Sequence, residues 1–201
     1  MASIVNLNRY PDQSIYTINI NEANITVTVT ASASVVEKWI ETALIVQRNY
    51  VRLGQFIVGF AIDREVNTLQ FCLYHSCLVF QIAHADAVPQ ILHDFMKHRF
   101  IGFPGIRNQW YRSTLKSKYE FELKLDPADL ALWYGGTRPK DHSVNEMVLN
   151  LFGMKVNQRE EIRTSNWGEK NLSDDQVIFA CVETYCSYRI GMKFSAWRWG
   201  M

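Results

Sequence analysis

The stretch "QFIVGFAIDREVNTLQFCLYHSCLVFQI", Gln55–Ile82, decides the fold. Its first part, "QFIVGFAI" (Gln55–Ile62), is a continuous apolar run, as expected of a central strand covered on both faces. "LQFCLY" and "CLVFQI" then pair around His75-Ser76 and complete a three-strand meander. Upstream, "IYTINI" and "ITVTVT" alternate in the strand manner around "NEAN", which predicts a hairpin. A helix "VVEKWIETALIV" follows, with Ser34 and Glu37 as its expected capping box.

Downstream, "AVPQILHDFMKH" has helical spacing behind Pro89, and "RFIGF" reads as a short strand. A mixed basic helix is expected from about Gly105 to Lys118. Ser143 with Glu146 opens a second capping box, and Gly153 ends that helix. Ser173 with Gln176 opens a third, leading "VIFACVETYCSYRIG". Strands first, with helices between and after them, predict an α/β domain whose mixed central sheet is flanked by helices. The whole chain, 1–201, reads as one domain, with an N-terminal hairpin and helix over about 15–48 and a core over about 55–194.

Lys and Arg total 21 against 20 Asp and Glu, a net charge of +1, so any nucleic-acid site must be local. No apolar run has the length of a membrane span, and "MASIVNLNRYPDQS" lacks the features of a secretory signal. Cys72, Cys77, Cys181 and Cys186 form no zinc spacing. Cys72 and Cys77 stand where a hairpin could bridge them, but four apolar-embedded cysteines favour reduced core thiols. A cytoplasmic location, with a nuclear one as the alternative, is the expectation.

Glu183 is the anomaly. A carboxylate inside the apolar run of the last helix is costly unless it is paired or used. The segments "IVGF", "LQFCLYHSCLVFQIAHADAVPQIL", "RFIGF" and "SNWGEKNLSDDQVIFACVETYCSYRIG", in this order, resemble the Werner-type 3′–5′ exonuclease domain. That domain is a branch of the RNase H-like, DnaQ-like nucleases. The N-terminal "ITVTVTASASVVEKWI" is closer to the RISC-interacting clearing exoribonucleases, and the similarity runs from about Ile25 to Gly191.

The resemblance implies a mechanism in which two divalent cations, Mg²⁺ or Mn²⁺, clamp the attacking and leaving oxygens of a phosphodiester. It also implies an Asp-x-Glu pair on the first central strand, an Asp on a following helix, and a Tyr and an Asp on the last helix. Aligned without gaps, the first pair falls on Ala61 and Asp63, and a two-residue slip places it on Asp63 and Glu65 instead. The helix Asp falls on Asn108, or on Gln109 with one insertion. The last Asp falls on Glu183 and the Tyr on Phe179, while Asp126 matches a further family Asp.

Asp63 and Glu183 are therefore the candidate metal ligands, in a degenerate catalytic set completed by Ala61, Asn108 and Phe179. Glu183 has a plainer reading as well, a helix carboxylate reaching solvent or an arginine such as Arg189. Arg107, Arg112 and Lys116, with Lys118, lie on or beside one helix. They are candidates for a phosphate backbone, or simply a solvated charged face. "FSAWRWGM" offers Trp197 and Trp199 around Arg198 for stacking single-stranded bases or, as the resemblance favours, for a subunit contact.

The expected function is that of a 3′–5′ exonuclease-like protein acting on or binding single-stranded RNA or DNA 3′ ends, RNA before DNA, with hydrolysis weak or lost. Mg²⁺ or Mn²⁺ is expected if the chain is active, and no cofactor otherwise. The alternative is an inactive binding or regulatory subunit in a homo-oligomeric ring, or in a mixed oligomer with active relatives.

Overall fold

A computed structural model describes residues 2–106, 112–122, 130 and 143–196. Its main sheet has six strands in the order β1-β2-β3-β7-β6-β5. Strands β1 (Ser3–Arg9), β2 (Gln13–Ile20) and β3 (Ala23–Thr30) are antiparallel neighbours. β3 joins the core by lying parallel to β7 (Ser76–Phe80), which pairs antiparallel with β6 (Leu69–Leu73). β6 in turn pairs antiparallel with β5 (Gly59–Ile62). The run 56–62 is carried on two pairings. β4 (Phe56–Ile57) is parallel to β8 (Ile101–Gly102), and the Val58 and Phe60 amides donate to the Gly102 and Pro104 carbonyls.

The predicted meander, hairpin and short strand are thus present. β1 was not foreseen. Its "SIVNLNR" is a mostly exposed edge strand, so no buried alternation advertises it.

Side-chain alternation divides the interior into two cores. Phe60, Phe71, Leu78 and Phe80 turn to one face, under α1 (Ala33–Val46) and α3 (Gln90–Lys97). Ile18, Val27, Cys77 and Val79 turn to the other, under α5 (Val144–Phe152) and α7 (Asp174–Lys193). Three shorter helices, α2 (Arg48–Arg52), α4 (Arg112–Tyr119) and α6 (Glu160–Arg163), complete the set described.

The second and third capping boxes are read correctly at their N-caps. The Ser143 hydroxyl accepts the Glu146 amide at 3.2 Å, and Ser173 with Gln176 forms the reciprocal pair. Gly153 ends α5 at φ 66°, a left-handed conformation that suits glycine. The first box is corrected: α1 begins at Ala33 behind Ser32, and its first amide is taken by Asp86 Oδ1 at 2.8 Å.

The expectation of four reduced thiols is also corrected. Register sets Cys72 directly opposite Cys77, with Cα atoms 4.0 Å apart, and the two are bridged. Cys181 and Cys186 are free and buried.

Candidate active site

The site is set by how closely α7 lies on β5. A Cβ built on Gly59 would stand 2.7 Å from the Tyr188 amide nitrogen and still closer to the Thr184 carbonyl, so only glycine permits this approach. Gly59 thus faces α7, and strand alternation sends Ala61 and Asp63 the same way. Gln70, the register partner of Ala61, stands on that face too. Asp63, Gln70, Phe179 and Glu183 line one cleft of roughly 530 Å³, with Arg64, Thr114, Glu160, Arg163 and Thr164 among its other walls.

Asp63 is buried, at 6% exposure, and its carboxylate is heavily used. Oδ1 accepts the amides of Asn67 (2.8 Å) and Thr68 (2.6 Å) and the Thr68 hydroxyl (2.9 Å). Oδ2 accepts the Glu65 amide (3.1 Å) and the Asn67 side-chain amide (3.3 Å). These five bonds fold residues 63–68 around the carboxylate. Val66 sits at the centre of the turn with φ 56°, costly for a β-branched residue and tolerated only where the surroundings enforce it. The Tyr119 hydroxyl donates to the Val66 carbonyl and the Lys118 ammonium to that of Glu65, so α4 braces the same turn. Glu65 contributes its backbone to this turn and lies outside this cleft.

Glu183 is buried, at 5% exposure, and has an arginine beside it. That arginine is Arg163, whose Nη2 lies 3.4 Å from Glu183 Oε1, whereas Arg189 donates to the Tyr185 hydroxyl and stacks over Phe152. Arg163 Nε also meets Glu160 Oε2 at 3.3 Å, and its guanidinium carbon lies 5.7 Å from the Phe179 ring centre.

The third capping box positions this arginine. Gln176 Nε2 donates to the Asn166 carbonyl and the Ser165 hydroxyl, while Trp167 Nε1 donates to the Ile162 and Arg163 carbonyls. α6 is thereby held against α7. Glu183 is buried while Arg163 is partly exposed, so removing the arginine would leave a buried carboxylate without this partner.

The structure therefore brings Asp63, Phe179 and Glu183 together, with Ala61 on the same strand face. Arg112 and Lys116 share an exposed face of α4. Thr114, the α4 residue that lines the cleft, lies two residues from each, about 160° around the helix. Arg107, Asn108, Gln109, Asp126, Trp197, Arg198 and Trp199 lie outside the described residues. Sequence reading missed Arg64, Gln70, Glu160 and Arg163. Gln70 follows from the register once Ala61 is placed, whereas "REEIRT" carries no signal that Arg163 would meet Glu183.

A two-cation cage needs several carboxylate oxygens free to converge. Among the described residues no group of three or more His, Cys, Asp or Glu side chains has that arrangement. Asp63 is committed to its turn, Glu183 to a guanidinium, and Ala61 has no donor. The described residues do not fit the family's metal pair.

The element order, with α7 laid on the first central strand of a mixed sheet, is that of the DnaQ-like 3′–5′ exonuclease fold. Over 140 residues the chain is 27% identical to the mouse (Mus musculus) bifunctional 3′–5′ exonuclease/ATP-dependent helicase WRN, an alignment taking in 64% of this chain and 9% of that protein. Escherichia coli RNase D, an exoribonuclease involved in structured RNA processing, superposes with a TM-score of 0.67 at 11% identity, over 84% of this chain and 44% of its own. The EXO domain of Aedes aegypti Nibbler gives 0.61 at 13% identity, over 87% and 88% of the two chains. Brucella melitensis NrnC gives 0.53 at 15% identity, over 72% and 75%. No family model matches the chain.

Proposed function

We propose that this protein binds single-stranded nucleic-acid 3′ ends, RNA in preference to DNA, and hydrolyses them weakly or not at all. The fold and the exonuclease activities of its relatives support the nucleic-acid part. The observation that carries the loss of hydrolysis is Asp63, whose two oxygens already accept five hydrogen bonds from its own turn. A carboxylate so engaged has to give up its turn to hold a cation. Phe179, in the place of the family Tyr, has no hydroxyl with which to orient a water. Losing ligands of a reactive dication removes several kcal/mol of transition-state stabilisation, or orders of magnitude in rate.

The test is a 5′-labelled single-stranded RNA incubated with the protein and Mg²⁺ or Mn²⁺. It stays at or near full length on this reading. Stepwise shortening that vanishes in Glu183→Ala would refute it.

A second reading, an inactive oligomeric binding or regulatory subunit, has one feature in its favour. Trp39, Ala43 and Val46 of α1 line an apolar groove of roughly 930 Å³ against β2 and β3, and Ile45, Leu53 and Tyr74 are exposed on the molecule. Exposed apolar surface of this kind suits a further copy of the chain or an active relative. Light scattering tests it, with a mass above the monomer expected.

A further inference from the structure

We infer that Arg163 and Arg64 form a phosphate clamp in the 530 Å³ cleft, taking a phosphodiester or terminal phosphate oxyanion without a divalent cation. The inference rests on the nucleic-acid reading above and deepens it, because it names the group that replaces the metal. A cation in this fold does two jobs: it neutralises carboxylates at the foot of the cleft, and it offers positive charge to a phosphate. Arg163 does the first by lying between Glu183 and Glu160 at 3.4 and 3.3 Å.

It retains capacity for the second. A guanidinium has five N–H donors, and these contacts use Nε and one N–H of Nη2. The remaining three, both hydrogens of Nη1 and one of Nη2, have no partner among the described residues, and Arg163 lines the cleft. Nη1 and Nη2 together present the planar fork that matches two oxygens of one phosphate.

Arg64 supplies the second cation. It directly follows Asp63, is exposed, and makes no ion pair or hydrogen bond among the described residues. Both arginines also wall a second cleft, of roughly 540 Å³, that continues past Asn67 and Asn166. The two hollows share Asp63, Arg64, Arg163, Thr164 and Trp167, so an extended chain lying from one into the other crosses both guanidiniums.

The carboxylates do not cancel the clamp. Asp63 is satisfied by its own turn, while Glu160 and Glu65, the latter on the wall of the second cleft, are exposed, where their charges are screened. Glu183 is the real competitor for Arg163. Removing its charge should therefore strengthen phosphate binding, whereas a metal site would lose its ligand.

Two probes are used, inorganic phosphate followed by ³¹P NMR and a fluorescein-labelled single-stranded RNA followed by anisotropy. Each is titrated first in EDTA and then in Mg²⁺ at matched ionic strength. Both bind in EDTA on this account, and Mg²⁺ adds nothing. Arg64→Met leaves no buried charge behind. It weakens RNA binding roughly tenfold and lowers the slope of log K against log salt by about one. Glu183→Gln tightens both probes. The paired variant Arg163→Met with Glu183→Gln, which strands no charge, abolishes phosphate binding while its melting curve remains cooperative.

Binding that needs Mg²⁺, or that is lost in Glu183→Gln, overturns the clamp and leaves the nucleic-acid reading standing. Phosphate binding without RNA binding keeps the clamp and sinks that reading. Absence of both sinks both.

Discussion

At the scale of single residues, Asp63 and Glu183 are two buried carboxylates with different partners and different sensitivities. Asp63→Ala removes the acceptor for five donors at once and leaves buried amides unpaired, so a loss of about 2–4 kcal/mol is expected in urea unfolding. Asp63→Asn keeps Oδ1 but turns an NH₂ toward the Glu65 and Asn67 donors, and should cost about 1–3 kcal/mol. A metal ligand without this structural duty would show little change, or a gain, in the metal-free protein. The positions of both carboxylates were legible from the sequence, because the family motif marks a place on a strand and a place on a helix. Their partners were not. Arg163 lies 20 residues before Glu183, on a four-residue helix whose placement depends on the Gln176 and Trp167 contacts. Arg189, one helical turn and a half away along α7, was the local guess and pairs instead with Tyr185.

At the scale of elements, the register between α7 and β5 governs the cleft. Gly59→Ala drives a methyl into the Thr184 carbonyl and the Tyr188 backbone. Neither neighbour is a flexible side-chain end, so a loss at or above the upper end of ~1–3 kcal/mol is expected in the urea midpoint. Gly191→Ala meets Pro104 at 2.5 Å from its Cγ and should behave similarly but more mildly, since a proline ring can shift. Ser173→Ala removes the α7 cap, a loss of about 1 kcal/mol by the same measurement.

Element identity was legible wherever it is locally encoded. The N-cap at Ser143 and the capping box at Ser173 act within four residues, and the meander carries its own apolar pattern. Ser34 misled because the first amide of α1 is satisfied from Asp86, 53 residues on, so no local cap is needed. β1 is an exposed edge strand, whose pairing with β2 leaves no period to read. The Cys72–Cys77 bridge followed from register, and compositional reasoning about cysteine usage pointed the other way.

At the scale of the whole molecule, both cores hold buried groups that make stability depend on pH. Burial raises the Cys181 thiol well above its ordinary value and pushes Cys186 up to about 12 from 9.0, and it raises the Tyr188 hydroxyl as well. These groups are neutral when protonated, so the native state holds protons that the unfolded chain releases above pH 9.0 from the thiols and above pH 10.0 from the tyrosine. Their stabilisation is intact below those pH values and is lost as pH climbs toward the folded values. A melting temperature that falls steeply above pH 9 is expected, each group adding up to ~1.4 kcal/mol per pH unit, and Cys186→Ala should flatten the fall.

Manganese affinity of the metal-free protein, followed by the loss of the free Mn²⁺ signal in electron paramagnetic resonance, reaches the central claim most directly. Arginine in the cation's place predicts no stoichiometric uptake, with dissociation constants weaker than roughly 1 mM, as expected where carboxylate oxygens are already engaged. Two equivalents of tightly bound Mn²⁺, lost together in Glu183→Ala, would contradict it.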